Sequence, residues 1–195
     1  MRFLNLALFQ GGGPLSLEGQ RVLLRPPEAR DWSAWAALRA RSQNFLTPWE
    51  PAWPPDSLTR EAFSRRMRRQ LAEWQDDLTY SFLTIERNTA MLVGGLSLGN
   101  IRRGVSQTAT IGYWVGEPYA RRGFTSEAVR LALDYAFDQL DLHRVEASCL
   151  PANLPSRALL GKLGFTCEGV ARGYLRIKET WQDHLIYARL KEDRT

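Results

Sequence analysis

At 195 residues the chain can bury one substantial core but not two. An apolar content of 44% and seven tryptophans exclude an intrinsically disordered chain. The formal net charge of +5 and a sequence pI near 9.6 favour acidic partners, such as nucleic acid, a phosphorylated cofactor or a ribonucleoprotein surface, without choosing among them.

Cys149 and Cys167 are too few for a disulfide framework, so a reducing compartment is expected. No apolar run reaches the length of a membrane span. The opening "MRFLNLALFQGGG" has a short apolar stretch, interrupted by Asn5, and no convincing small-residue cleavage site. It reads as a mobile or loosely attached lead-in over residues 1–16, or as a first strand, rather than a signal peptide, which places the protein in the cytoplasm. With no internal repeat and no linker composition, one domain is expected over residues 1–195.

In chain order, "QRVLLRPPEARD" (20–31) reads as a strand broken at Pro26-Pro27 and closed by an N-cap at Asp31. "DWSAWAALRARSQ" follows as a helix, with Trp32, Trp35, Ala36 and Leu38 at helical spacing. "NFLTPWEPAWPPD" (44–56) carries four prolines, which argue against regular structure, yet is too aromatic for a solvated linker. "TREAFSRRMRRQLAEW" (59–74) is amphipathic, with Phe63, Met67, Leu71 and Trp74 on one stripe and the arginines largely off it. Its basic face reads first as solvated, with contact to ribosomal RNA as the functional alternative. Strands are expected over 80–87, 91–101 and 108–116, with turns at Asn88-Thr89 and Arg103-Gly104. "EPYARRGFTSEAVRLALDYAF" (117–137) is a turn running into a helix. A strand (143–150), a shorter helix (154–164) and two final strands complete the chain. The order implies an α/β (α+β) architecture: a mixed, largely antiparallel central sheet with helices on both faces.

The turn at 117–126 carries the first chemical signal. A turn that feeds a helix leaves backbone N–H groups without intrahelical partners at the positive end of the helix dipole, a ready seat for phosphate. Gly123 permits close approach of an anion, and Arg121 and Arg122 add charge. Nucleotide, dinucleotide and coenzyme A are the conceivable ligands, beside the plain reading of a helix start with solvated arginines. The Gly-Lys-Ser/Thr of a triphosphate loop is missing, and one glycine does not make G-x-G-x-x-G. A second signal is "NLPSRALLGKLGF" (153–165). Asn153 is placed to cap a helix or bond an extended ligand, Pro155 suits the first turn, and Gly164 ends it.

Together these blocks resemble the GNAT (GCN5-related) N-acetyltransferases. The family's pyrophosphate turn, Q/R-x-x-G-x-G/A, aligns with Ala120 to Thr125; Gly123 matches, and Ala120 and Thr125 depart. The family's second signature fits Asn153, Ser156, Gly164 and Phe165. "FLTPWEP", "HRVEASCLPANLPS", "LGFTCEGVARGYL" and "WQDHLIYARL" are similar to the RimJ/RimL branch, which acetylates N-terminal residues of ribosomal proteins.

The resemblance implies the GNAT fold, acetyl-CoA as co-substrate, and cofactor contacts from Val115, Arg121, Arg122, Gly123, Phe124, Thr125, Ser126, Asn153 and Ser156. A backbone N–H such as that of Val115 would polarise the thioester carbonyl. The tyrosine that many members carry seven residues after the Asn is replaced here by Leu160, so Ser156 is the implied proton donor to the thiolate. Glu168 stands where the branch carries a proposed general base. Trp49, Glu50, Tyr174 and His184 are candidates for acceptor contact, while His143 reads as structural. No Cys/His cluster has metal-ligand spacing, so no metal is expected. The expected acceptor is the N-terminal amine of a ribosomal protein. The rivals are a small-molecule amine or amino acid, and a CoA- or ribosome-binding module without turnover. Self-association stays open.

Overall fold

The computed structural model describes residues 15–193. Eight strands form one sheet: β1 (Leu17–Glu18), β2 (Val22–Arg25), β3 (Tyr80–Glu86), β4 (Leu92–Arg102), β5 (Thr108–Val115), β6 (Arg144–Cys149), β7 (Thr166–Ile177) and β8 (Thr180–Leu190). Their order across the sheet is β1-β2-β3-β4-β5-β6-β8-β7. Every neighbouring pair is antiparallel except β5–β6, which is parallel. Five α-helices accompany the sheet: α1 (Trp32–Arg41), α2 (Gln43–Leu46), α3 (Arg60–Gln75), α4 (Phe124–Asp134) and α5 (Leu154–Lys162).

Strand alternation divides the apolar residues between two cores. The larger lies under α4 and α5 and takes Phe82, Leu98, Ile111, Val145 and Tyr187 from the sheet, Phe124 and Val129 from α4, and Leu160 from α5. The smaller lies on the other face, where Trp35 and Leu38 of α1 and Phe63 of α3 meet Leu83, Ile85 and Leu92. The helices therefore cover both faces, as the element order implies.

Several local expectations change. Asp31 stands at the N-cap position of α1, but its side chain makes no capping bond there. It ends a short 3₁₀ turn, and its carboxylate accepts both guanidinium nitrogens of Arg25, at 2.7 and 2.6 Å, and the Glu28 amide at 2.7 Å. Burial disfavours the charge of Asp31, but these partners outweigh it and hold the carboxyl below its ordinary range. The start of the proline-rich stretch is helical, because α2 continues past α1 through Ser42. Leu71 is 60% exposed, so the apolar stripe of α3 reaches the core only through Phe63, Met67 and Trp74. The helix after the turn continues beyond α4 as a π-helical turn over Tyr135–Gln139. A two-residue strand, β1, precedes β2 and was not signalled by the sequence pattern. Of the lead-in, only Leu15 and Ser16 lie among the described residues, and Leu15 packs on the larger core.

The pair Gly94-Gly95 in β4 is sterically required. A Cβ on Gly94 would stand 2.4 Å from the backbone oxygen of Trp114, and one on Gly95 would stand 2.5 Å from its indole Nε1. Both glycines let β5 and the Trp114 ring lie close against β4. Gly94→Ala is expected to destabilise the fold by about 1–3 kcal/mol, because backbone must move to admit the methyl group. A urea unfolding curve checks this through a lowered midpoint.

Candidate active site

The parallel ladder between β5 and β6 is short. It pairs Thr108, Ala109 and Thr110 with Arg144, Val145 and Glu146, and then the strands part. Beyond that point each strand is held only by its outer neighbour: β5 by β4 as far as Val115, and β6 by β8 as far as Cys149. The Gly116 amide donates to the Val93 carbonyl at 2.9 Å, and Trp114 pairs with Gly95 in the same register. Alternation therefore turns the N–H groups of Tyr113 and Val115 away from β4 and into the gap. A cleft edged by unpaired donors suits an extended amide-bearing ligand and a carbonyl oxygen that gains negative charge during reaction.

At one end of the gap stands the turn before α4. Gly123 is the N-cap residue, with φ of 86°, and Arg121 beside it is also left-handed, with φ of 61°. No side chain caps α4, in contrast to α3, where Thr59 accepts the Ala62 amide at 3.2 Å. The first-turn N–H groups of α4 are thus left for an anion. Arg121 and Arg122 are exposed there, and Arg122 lies over the Phe124 ring at 5.1 Å. Arg21, distant in sequence, joins them: its guanidinium sits 4.6 Å from the Phe124 ring centroid and donates to the Arg122 carbonyl at 3.0 Å. The start of β2 is fastened to α4 because Glu127 accepts the amides of Arg21 and Val22. Phe124 itself is buried in the core, so its contribution to a ligand is its amide. Ser126 is 6% exposed, and its hydroxyl has no partner among the described residues.

Across the gap, α5 starts at Asn153, whose side-chain oxygen accepts the Ser156 amide at 3.2 Å. The capping role is thus realised, and the Asn153 amide nitrogen remains for a ligand. Ser156 Oγ lies 2.8 Å from the hydroxyl of Tyr113, so the two sides of the gap touch through these side chains. The buried Cys149 thiol adjoins the Ser156 hydroxyl; burial pushes the thiol up, and the hydroxyl partly offsets this.

The acceptor candidates divide differently. Tyr174 and His184 come together, ring centroids 5.7 Å apart, on the last two strands. His184 is buried, and its Nδ1 lies 3.0 Å from the Gln182 carbonyl. In β8, Leu185 and Tyr187 pack toward the larger core, so His184 points to the opposite face of the sheet. Trp49 stands 36% exposed on the proline-rich loop. Glu50 is not free for substrate. It takes both guanidinium nitrogens of Arg39, at 3.0 and 2.6 Å, and the Trp53 indole N–H at 2.7 Å. Arg39 in turn lies 4.2 Å from the Trp53 ring and 5.0 Å from Trp114, so Glu50 pins the loop to β5. The loop has a second anchor. The buried Ser42 hydroxyl accepts the Glu117 amide at 2.9 Å, and Leu38 fills the space beside Gly116, where a Cβ would meet it at 2.3 Å.

Glu168 also has a different employment from the expected base. Its carboxylate is engaged at both oxygens by Arg144, one bond at 2.7 Å, and Arg144 also binds Glu146 at 2.8 Å. These bonds hold the Glu168 carboxyl below its usual range, which weakens it as a proton acceptor. The arginine-rich helix is likewise partly neutralised at its own surface, since Arg65 pairs with Asp56 and Arg69 with Glu73.

Residues 21–166 match the model of the acetyltransferase (GNAT) domain family. The chain belongs to the GNAT acetyltransferases. It is 36% identical over 91% of its length, and 98% of the relative's, to the probable N-acetyltransferase YjcK of Bacillus subtilis. It is 28% identical to the [ribosomal protein uS5]-alanine N-acetyltransferase of Escherichia coli, covering 92% of each chain. Its structure superposes on Mycobacterium smegmatis RimJ in complex with CoA-disulfide with a TM-score of 0.85 and 34% identity, covering 89% of this chain and 83% of that one. The GNAT fold expected from the sequence is therefore the fold observed, and the protein is an acetyl-CoA-dependent N-acetyltransferase. The uncapped helix start, the three arginines around it and the unpaired strand edge are chemically suited to coenzyme A. Among the described residues no group of three or more His, Cys, Asp or Glu side chains could hold a metal ion, and no helix is long and apolar enough to cross a membrane.

Tyr113, Arg21 and Arg144 escaped the sequence reading. Tyr113 was within reach, because it shares a face of β5 with Ala109 and Ile111, the face of the larger core that also takes Leu160 of α5. The contacts of Arg21 with the Arg122 carbonyl and of Arg144 with Glu168 had no local signal, since they span about a hundred and two dozen residues respectively.

Gly123→Val is expected to leave a folded protein that no longer binds CoA, because φ of 86° is strained for a branched residue and the side chain would fill the anion seat. Undiminished affinity in calorimetry would relocate the pyrophosphate. Glu168→Gln should lower kcat/KM by less than about threefold, against the roughly hundredfold loss expected of a general base; a full pH–rate profile distinguishes the two. Because its carboxyl is depressed, the small stabilisation from the exposed Glu168–Arg144 pair is present above the ordinary Glu range and fades as pH falls through the lowered value.

Proposed function

We propose that this enzyme transfers the acetyl group of acetyl-CoA to the N-terminal α-amine of a ribosomal protein with a small first residue, alanine or serine. The observation that carries the acceptor is the similarity, over nearly the whole of both chains, to an enzyme that acetylates an alanine of ribosomal protein uS5. The site chemistry supports it. An α-amine has a pKa of about 7.7–8.0, so much of it is neutral near physiological pH and needs little help from a side-chain base. A lysine side chain, near 10.4, would need a strong one, and Glu168 is tied to Arg144.

In this reading the pyrophosphate rests on the amides of Gly123 to Ser126, flanked by Arg121 and Arg122, and Asn153 bonds the pantetheine arm. The neutral amine attacks the thioester carbonyl carbon while the Val115 N–H steadies the developing oxyanion. The C–S bond then breaks and its electron pair passes to sulfur, where Ser156 donates a hydrogen bond. The proton released by the attacking nitrogen reaches solvent, and the thiolate takes one up to leave as CoA thiol. Trp49, Tyr174 and His184 contact the acceptor peptide.

Values of kcat/KM on a ribosomal-type N-terminal peptide, an N-blocked peptide carrying a lysine, and a panel of free amines test the acceptor. The N-terminal peptide should win. Trp49→Ala should raise KM for peptide more than for acetyl-CoA. A clear preference for a free amine would overturn the acceptor and leave the acetyl-CoA half of the reading standing.

A further inference from the structure

The side chain that meets Ser156 comes from the other wall of the cleft. Tyr113 lies on β5 and Ser156 on the first turn of α5, and the 2.8 Å contact between their hydroxyls crosses the gap. Ser156 is otherwise flanked by the buried Cys149 thiol, a weak hydrogen-bond partner. A serine hydroxyl rotates freely and carries a single hydrogen. If that hydrogen pointed at Tyr113, Ser156 could offer the departing sulfur only lone pairs, which would repel a thiolate. Burial pushes the Tyr113 phenol up to about 12, so it keeps its proton across the working range and is able to donate. The tyrosine that many family members place on the helix after the Asn is absent, since that position is Leu160, which is fully buried in the core.

We propose that Tyr113 is a positioning residue for catalysis: it donates its hydroxyl hydrogen to Ser156 Oγ and thereby turns the Ser156 hydrogen toward the thiolate that leaves acetyl-CoA. The inference rests on the reading that Ser156 faces that sulfur. Tyr113 exchanges no proton in the step. It restricts one rotor, and by drawing electron density from Ser156 Oγ it makes the Ser156 hydrogen a better donor, as chains of hydrogen bonds do. The alternative role, a plain staple between β5 and α5, would affect stability and cofactor affinity without touching the chemical step.

A double-mutant cycle separates the two. Ser156→Ala should lower kcat by roughly 10²-fold and Tyr113→Phe by roughly 10-fold, with KM for acetyl-CoA within about threefold of wild type. The double variant should be no slower than Ser156→Ala alone, because Tyr113 acts through Ser156. Site-specific 3-fluorotyrosine at position 113, a stronger donor of the same shape, should raise kcat; this measurement keeps the test available if Tyr113→Phe unfolds. Wild-type turnover in Tyr113→Phe, multiplicative losses in the double variant, or an unchanged or lower kcat with fluorotyrosine would each overturn the inference while leaving the Ser156 assignment intact. Wild-type turnover in Ser156→Ala would instead remove that assignment, and the inference with it.

Discussion

Two parallel strands that stop pairing after three residues are the constraint on which this molecule is built. A sheet that loses a ladder leaves amides exposed, and each one buried without a partner costs about 1–3 kcal/mol. The gap survives because neither strand depends on it: β5 runs paired to β4 up to Val115, and β6 runs paired to β8 up to Cys149. The flanking ladders keep the walls rigid while the gap keeps its donors open. The features suited to an extended anionic ligand are arranged around that opening. The turn before α4 follows the end of β5, the start of α5 follows the end of β6, and Tyr113 and Ser156 meet across the gap.

Charge is used in this structure mostly to fasten irregular backbone rather than to meet substrate. Arg25 and Asp31 hold the segment between β2 and α1; Arg39 and Glu50 hold the proline-rich loop against Trp114; Arg144 binds Glu146 and Glu168 on the far strands. Each is a guanidinium engaging carboxylate oxygens in short bonds, the geometry in which such pairs are strongest. Among the described residues Arg21 and Arg121, beside the uncapped start of α4, have no carboxylate partner, which leaves local positive charge there.

The class of the fold was legible in the sequence, and so were the local features of the two helix starts. Gly123 and Asn153 could be read because their roles are local: a left-handed N-cap and a side-chain cap each depend on a few consecutive residues. Ser156 was legible through the same motif. The ion pairs of Glu50 and Glu168 were not legible, because a carboxylate's partner depends on its neighbours in space, and Arg39 and Arg144 come from other elements. Asp31 failed as a cap for the same reason, being drawn to Arg25. Leu71 fits the helical period of α3 but lies beyond the edge of the surface that α3 covers. The parting of β5 and β6 leaves no mark in β6, which alternates throughout, while in β5 the alternation lapses after Ile111 without saying what lies beside it.

The bond from the Glu117 amide to the buried Ser42 hydroxyl has a mechanical meaning. Residue 42 ends the helix that leads into the loop carrying Trp49, and residue 117 opens the segment leading to Gly123. With Leu38 lodged against Gly116 just beside it, the two segments share a single fulcrum. The proline-rich loop and the turn before α4 are therefore joined mechanically at this point, and displacing one loads the other.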